Sequence, residues 1–516
     1  GGIGTFVKSS HESHTDVGDR ANDAIRIDAG ELRCQIIGEG ANLGITQLGR
    51  VQFARGGGRI NTDFIDNSAG VDCSDHEVNI KILLDAAIAD GDMTRKQRNI
   101  LLSEMTGEVA DLVLRDNYLQ SQAISLIAEE GFGALENQAR LARMLERQGR
   151  LNREIEALPD EDALSERVAD REGLSRPEIA VLFSHCKIWL YDEVLNSDLP
   201  EDRHLAEDVE RYFPTPIQDR FPRRISVHRL RRELIATAIS NSLINRVGGT
   251  FVTEIRDKTG MTAVDITRAY IIARDVFSAR SAWEEIEALD NKVPAQTQRS
   301  LHREVRRMIE RATMWFLRNG GSPLDITVNV EAFKTAVRGF ATTVCSVLPR
   351  ELNDRILDRT EHDREAGVPD ALAKRIAYMI VMPSACDIVR IAAARGIAME
   401  DVARLYFNIG EYLGFGWLRN QAEALAATSH WQKLAVAAIV EELYGHQRNL
   451  TVHVLDTVGP DTVGKSGEGA LQEWTETCRP AVDRMRVLMG ELDAAAPVDL
   501  SMLTVASRQL GTLTQS

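Results

Sequence analysis

Two short stretches rich in glycine and asparagine carry the clearest chemical potential in this sequence. Residues 36–44 read Ile36-Ile37-Gly38-Glu39-Gly40-Ala41-Asn42-Leu43-Gly44, a strand-like run over 32–37 feeding a glycine-rich turn. A dinucleotide-binding fingerprint begins in the same way. The glycines at 38, 40 and 44, however, space as G-x-G-x-x-x-G, one residue too long for that loop. The second stretch, Asp66-Asn67-Ser68-Ala69-Gly70, follows an expected strand over 60–65. If both strands belong to one parallel sheet, both turns lie at its carboxyl edge, where open α/β sheets bind ligands. Asn42 and Asn67 each offer a donor and an acceptor together, which suits another carboxamide or a ribose hydroxyl. Asparagine is also common in turns because it tolerates left-handed dihedrals, so residue type alone leaves both readings open.

Ser74-Asp75-His76-Glu77 then reads as a capping box opening a helix that continues through Val78, Ile82, Leu83 and Ala86. A plain cap explains it. So does an anion site, since a helix N-terminus with a serine hydroxyl suits a carboxylate or phosphate. His11-Glu12-Ser13-His14 invites a metal reading, but it is not HExxH and no third ligand follows at a definite spacing. A polar loop or helix start accounts for it better, and no metal site is assigned. The basic run 220–232, with Arg220, Arg223, Arg224, Arg229, Arg231 and Arg232 and no acid, opposes the dipole of a helix start. Acidic partners elsewhere in the fold are expected for it.

These residues must be positioned by a chain of 516 residues, enough for about three to four domains at ~150 residues each. The hydrophobic share is 44% and the charged share 27%, ordinary for a globular protein. A net charge of −16 makes nucleic acid a poor partner. No apolar run approaches the ~18 residues of a membrane span, and no signal segment is recognisable. The six cysteines, Cys34, Cys73, Cys186, Cys345, Cys386 and Cys478, form no CxxC pair and read as free thiols of a cytoplasmic protein. The sequence opens on Gly1 without an initiator methionine, as a piece of a longer polypeptide would.

The pattern changes near residue 90. Before it, strands are expected at 32–37, 50–54 and 60–65, with Gly56-Gly57-Gly58 turning between the last two. Beyond it helical signals prevail. Thr94 to Gln97 is a capping box before Ile100, Leu101, Met105, Val109 and Leu112. At Leu174-Ser175-Arg176-Pro177-Glu178-Ile179, Ser175 caps, Glu178 closes the box and Leu174 can staple onto Ile179. Prolines 214, 216 and 222 mark 199–224 as a connection. Further helices are expected at 227–247, 263–276 and 294–318 and onward to about Met489, with the small, polar tail after Ala494 frayed. The fold class expected is mainly α, a small α/β segment followed by a large all-helical region.

The run Gly38-Glu39-Gly40-Ala41-Asn42, followed by Asn67-Ser68-Ala69-Gly70-Val71 with Ser74 and Glu77, resembles glutamate dehydrogenases. Those carry an EGAN turn and then N-A-G-G-V-x-x-S-x-x-E; this chain departs at Ser68 and Ala69. "GRINTDFIDNSAGVDCSDHEVNIKILL", "LSRPEIAVLFSHCKIWLYDE", "RYFPTP" and "EALDNKVPA" are similar to the large bacterial NAD-specific members. The resemblance implies oxidative deamination of L-glutamate to 2-oxoglutarate and ammonia, with hydride transfer to NAD. It implies that 1–120 is the C-terminal part of a Rossmann-like NAD-binding catalytic domain and 121–516 a helical C-terminal region, with an internal break near 199–224. Gly40, Asn42 and Asn67 would then bind the cofactor, Asn42 and Asn67 at its nicotinamide end, and Ser74 would hydrogen-bond the glutamate side-chain carboxylate. The family's catalytic lysines and proton-shuttling acid lie in motifs expected upstream and not found here, so this chain alone is expected to be inactive. A homo-oligomer without nucleic acid or membrane partners is implied. A competing reading makes the helical majority an interaction or oligomerisation module without catalysis of its own.

Overall fold

The computed structural model describes residues 4–425, 429–459, 467–495 and 497–514, and it is mainly helical as expected. Strand is confined, among the described residues, to a parallel pair, β1 (Val7–Lys8) and β2 (Ile27–Asp28), with Val7 opposite Ile27. Two isolated parallel bridges, Val7 with Ile45 and Ile36 with Arg59, extend the same direction. The expected strand at 32–37 is therefore reduced to one bridge at Ile36.

The expected strand at 50–54 is helical, part of α1 (Gln47–Arg55). Its apolar residues looked β-rich, yet Gly49, Arg50 and Phe53 are buried at helical spacing, and the Thr46 side chain caps the start by accepting from the Gly49 N–H. The glycine turn does follow, with Gly57 at φ +94°. The expected strand at 60–65 is also overturned: Asp63–Asp66 is a helical turn, and α2 (Ser68–Ala89) begins almost at once. Aspartates at 63 and 66 and the asparagine at 67 favour local turns over a ladder.

The chain divides into two compact units, residues 1–254 with 262–267, and residues 255–261 with 268–516. In the first, α2 packs on α3 (Arg95–Glu130). Thr94 and Gln97 form the expected capping box of α3: the Thr94 N–H donates to Gln97 Oε1 (2.8 Å) and the Gln97 N–H to Thr94 Oγ1 (3.3 Å). α4 (Phe132–Arg147) is followed by α5 (Arg176–Leu195), whose Glu178 carboxylate accepts from the Ser175 N–H at 2.7 Å. Leu174 packs against Leu135, Ala139 and Leu164. The 199–224 connection is itself wound into short helices, including Ala206–Glu210, Thr215–Arg220 and Pro222–Ser226. α6 (Arg231–Val247) then packs along α5, and Trp189, Leu190, Ile235, Ile239 and Leu243 are buried there.

The second unit is helical among its described residues, with Phe316, Phe340, Tyr406, Phe415 and Trp474 in its core. α7 (Ala295–Asn319) starts after Pro294, which tolerates the position because its missing N–H would be unpaired there. α8 (Met399–Tyr412) and α9 (His430–Val458) follow and pack on each other. The tail is not frayed over 500–512. α10 (Leu500–Thr512) is capped by Asp499, buries Leu503, Ala506 and Leu510, and lies on α9. No single helix among the described residues is long and apolar enough to cross a membrane.

Candidate functional site

The turn at 38–44 is held from beneath by buried charge. Arg50, on α1, makes two bonds to the Glu39 carboxylate (2.5 and 3.0 Å) and lies 3.2 Å from Asp63. All three are buried. Burial raises the pKa of Glu39, and the hydrogen bond and charge of Arg50 oppose that rise. Asp63 Oδ2 accepts the Leu43 N–H at 2.7 Å, and Asp66 accepts the Glu39 N–H at 3.1 Å. Leu43 adopts φ 60°, a left-handed conformation that costs a branched side chain energy and is held by these anchors. Beyond the turn, Asn61 Nδ2 donates to Asp66 (2.8 Å), and Arg176 of α5 donates to Asn61 Oδ1 (2.8 and 3.1 Å).

The two asparagines singled out from sequence meet: Asn67 Nδ2 donates to Asn42 Oδ1 at 3.1 Å. Ile36 and Arg59 bridge in parallel, so the two chain segments run the same way into the two turns. A Cβ at Gly38 or Gly40 would meet nothing within 4 Å, which leaves the backbone of this exposed turn approachable from outside. Asn67 is also the N-cap residue of α2, so the start of that helix lies beside the asparagine pair.

Ser74 is placed differently from expectation. It does not cap a helix. It lies on the second turn of α2, exposed, with its hydroxyl only at the 3.5 Å limit from the Gly70 carbonyl. The Ser-x-x-Glu spacing matched a cap, but the helix had already begun at Ser68, and Glu77 pairs with Lys81.

Farther along α2, and on α3, lies a cluster that sequence reading passed over. Asp72 and His76 of α2 and Asp116 of α3 bring one ligand-type atom each within 4.8 Å of one another. Asp72 Oδ1 lies 3.9 Å from His76 Nε2. His76 is 2% exposed, its ring stacks on Tyr212 (centroids 4.3 Å, 16°), and neither ring nitrogen has a hydrogen-bond partner. Asp72 Oδ2 is likewise buried and unpaired. Burial first, then the charges of Asp116 and Asp75, push Asp72 up to about 7 against the pull of Lys187. Lost hydration brings Lys187 down to about 8, opposed by Asp116 and Asp72. Tyr212 donates to Asp75 (2.7 Å) and accepts from Asn79 (3.0 Å). An i, i+4 Asp-His pair was readable at 72 and 76; its third member, forty residues on, was not.

His11 and His14 form no three-ligand group among the described residues. His14 begins a short helix capped by Ser13, and its ring contacts Arg26 at 2.9 Å. The arginine run does find its acids: Arg224 pairs with Asp90 and Asp92, Arg220 with Glu104 and Arg232 with Glu201. All six cysteines are free thiols.

A helical chain whose first portion carries parallel pairings and an anchored EGAN turn defines an α-rich chain with a ligand-type turn cluster. Residues 1–127 match the family described as bacterial NAD-glutamate dehydrogenase, catalytic domain, and residues 171–512 match glutamate dehydrogenase, C-terminal. The whole chain is 42% identical to the NAD-specific glutamate dehydrogenase of Pseudomonas aeruginosa, 39% to that of Halomonas elongata and 38% to that of Mycobacterium tuberculosis. It spans 32% of the length of each of these relatives. The chain belongs to the bacterial NAD-glutamate dehydrogenase family.

Proposed function

We propose that this chain is part of an NAD-dependent enzyme that oxidatively deaminates L-glutamate to 2-oxoglutarate and ammonia. The observation carrying the reading is end-to-end similarity, at 38–42% identity, to proteins named NAD-specific glutamate dehydrogenase. The geometry supports it locally. Asn42 and Asn67 share one hydrogen bond, leaving the Asn42 amide N–H and the Asn67 carbonyl oxygen to address a carboxamide or a ribose hydroxyl. The open turn at Gly40 admits a cofactor close to the backbone. NAD, when bound, supplies the hydride acceptor. Asn42 and Asn67 orient it, and the Ser74 hydroxyl, free of any capping duty, donates to the substrate's side-chain carboxylate. The parallel pairings around β1 fit the margin of a Rossmann-like sheet. A cytoplasmic homo-oligomer is the form we assign.

The test is made in an enzyme of the relatives' full length. Asn42→Ala and Asn67→Ala raise the KM for NAD with little change in the glutamate KM, and Ser74→Ala does the reverse. Equal effects of all three on both substrates, or no effect, would overturn the assignment of these residues.

A further inference from the structure

We propose that Asp72, His76 and Asp116 form a binding site for a single divalent transition-metal ion, tying α2 to α3. The donor set is one imidazole nitrogen and two carboxylate oxygens, which suits manganese, cobalt, iron(II) or zinc better than the all-oxygen preference of magnesium or calcium. Their ligand-type atoms lie within 4.8 Å of one another. Ligand bonds of about 2.1 Å place neighbouring ligands of a tetrahedral site about 3.4 Å apart, so the most separated pair of side chains closes by up to about 1.4 Å on binding.

The independent observation is His76. Its ring is 98% removed from solvent by its 2% exposure, and both nitrogens are unpartnered. A buried imidazole without hydrogen bonds costs free energy, and one of its nitrogens faces Asp72 at 3.9 Å. The buried, unpaired Asp72 Oδ2 adds a second unsatisfied atom at the same place. A cation between them satisfies both. The neutral imidazole is the form that ligates metals. Asp116, exposed at the rim, provides the entry side. Lys187 feels both carboxylates, so its ammonium opposes the incoming ion. Asp75 is occupied by the Tyr212 hydroxyl and stays outside the site.

The experiment titrates the full chain, stripped with EDTA, with Mn2+ followed by electron paramagnetic resonance, and records thermal unfolding with and without the ion. Mn2+ avoids the exposed thiols Cys34, Cys73 and Cys345, which favour softer ions. One saturable Mn2+ per chain is expected, raising the unfolding temperature. Asp116→Asn should weaken binding at least tenfold, Lys187→Gln should tighten it, and Asp75→Asn should leave it unchanged. His76→Phe keeps a ring to stack on Tyr212 while removing both nitrogens. It should raise the unfolding temperature in EDTA yet abolish stabilisation by Mn2+. No saturable binding at millimolar Mn2+, or affinity unaltered in both Asp116→Asn and His76→Phe, would overturn the site.

Discussion

Ser74 is on the exposed second turn of α2 rather than at its cap, and this sharpens what its replacement measures. Loss of a cap costs about 1 kcal/mol, which would blur any loss of substrate binding. With no cap to lose, Ser74→Ala should change unfolding free energy by no more than about 0.5 kcal/mol while raising the glutamate KM of the full-length enzyme. Denaturant unfolding beside steady-state kinetics separates the two effects; a stability loss with unchanged KM would remove Ser74 from the substrate site. Asp72 gives a prediction with a definite sign. Its pKa rises from 3.8 in the unfolded chain to about 7 in the folded one, so the folded state keeps a proton that the unfolded state has lost. Its contribution is therefore complete below about pH 4 and disappears as pH rises through 7. Melting curves in EDTA between pH 5 and 8 should show Asp72→Asn gaining stability over the parent chain as pH rises, with the difference levelling above pH 7. A difference independent of pH would contradict the raised pKa.

At the scale of elements, helices with complete terminal chemistry were readable from the sequence. The boxes at Thr94–Gln97 and Ser175–Glu178 form as written, because their bonds join residues three apart. The strands were not readable. Residues 50–54 have strand-like composition, but their burial follows a helical period, with Arg50 pairing to Glu39 before it and Asp63 after it, contacts invisible to local pattern. The same holds for the site: Asn42 and Asn67 were picked out by type, and their meeting depends on a parallel bridge between Ile36 and Arg59. Glu39→Gln tests whether the anchor matters. It leaves Arg50 buried with only part of its charge balanced, and breaking such a pair costs about 3–5 kcal/mol. Denaturant unfolding should show a loss of that order, and the full-length enzyme should lose NAD affinity with it. A variant of unchanged stability would mean that the turn is held by other contacts.

For the molecule as a whole, the division into two compact units has a thermodynamic consequence. Each unit has its own buried core, with Trp189, Ile235 and Leu243 in one and Phe316, Tyr406 and Trp474 in the other. A chain so divided need not unfold in one step. Gly410, on α8, provides a probe confined to the second unit. A Cβ there would meet Gln447 Nε2 at 2.5 Å. Gln447 cannot easily yield, since it is buried, donates to the Tyr406 carbonyl (2.9 Å) and accepts from Arg419 (2.9 Å). Gly410→Ala therefore overpacks the α8–α9 contact, at about 1–3 kcal/mol. Calorimetry of the parent chain should resolve at least two transitions. Gly410→Ala should lower one of them and leave the other in place, whereas Glu39→Gln lowers the one that Gly410→Ala does not. A single transition that both substitutions shift together would show that the two cores melt as one cooperative body.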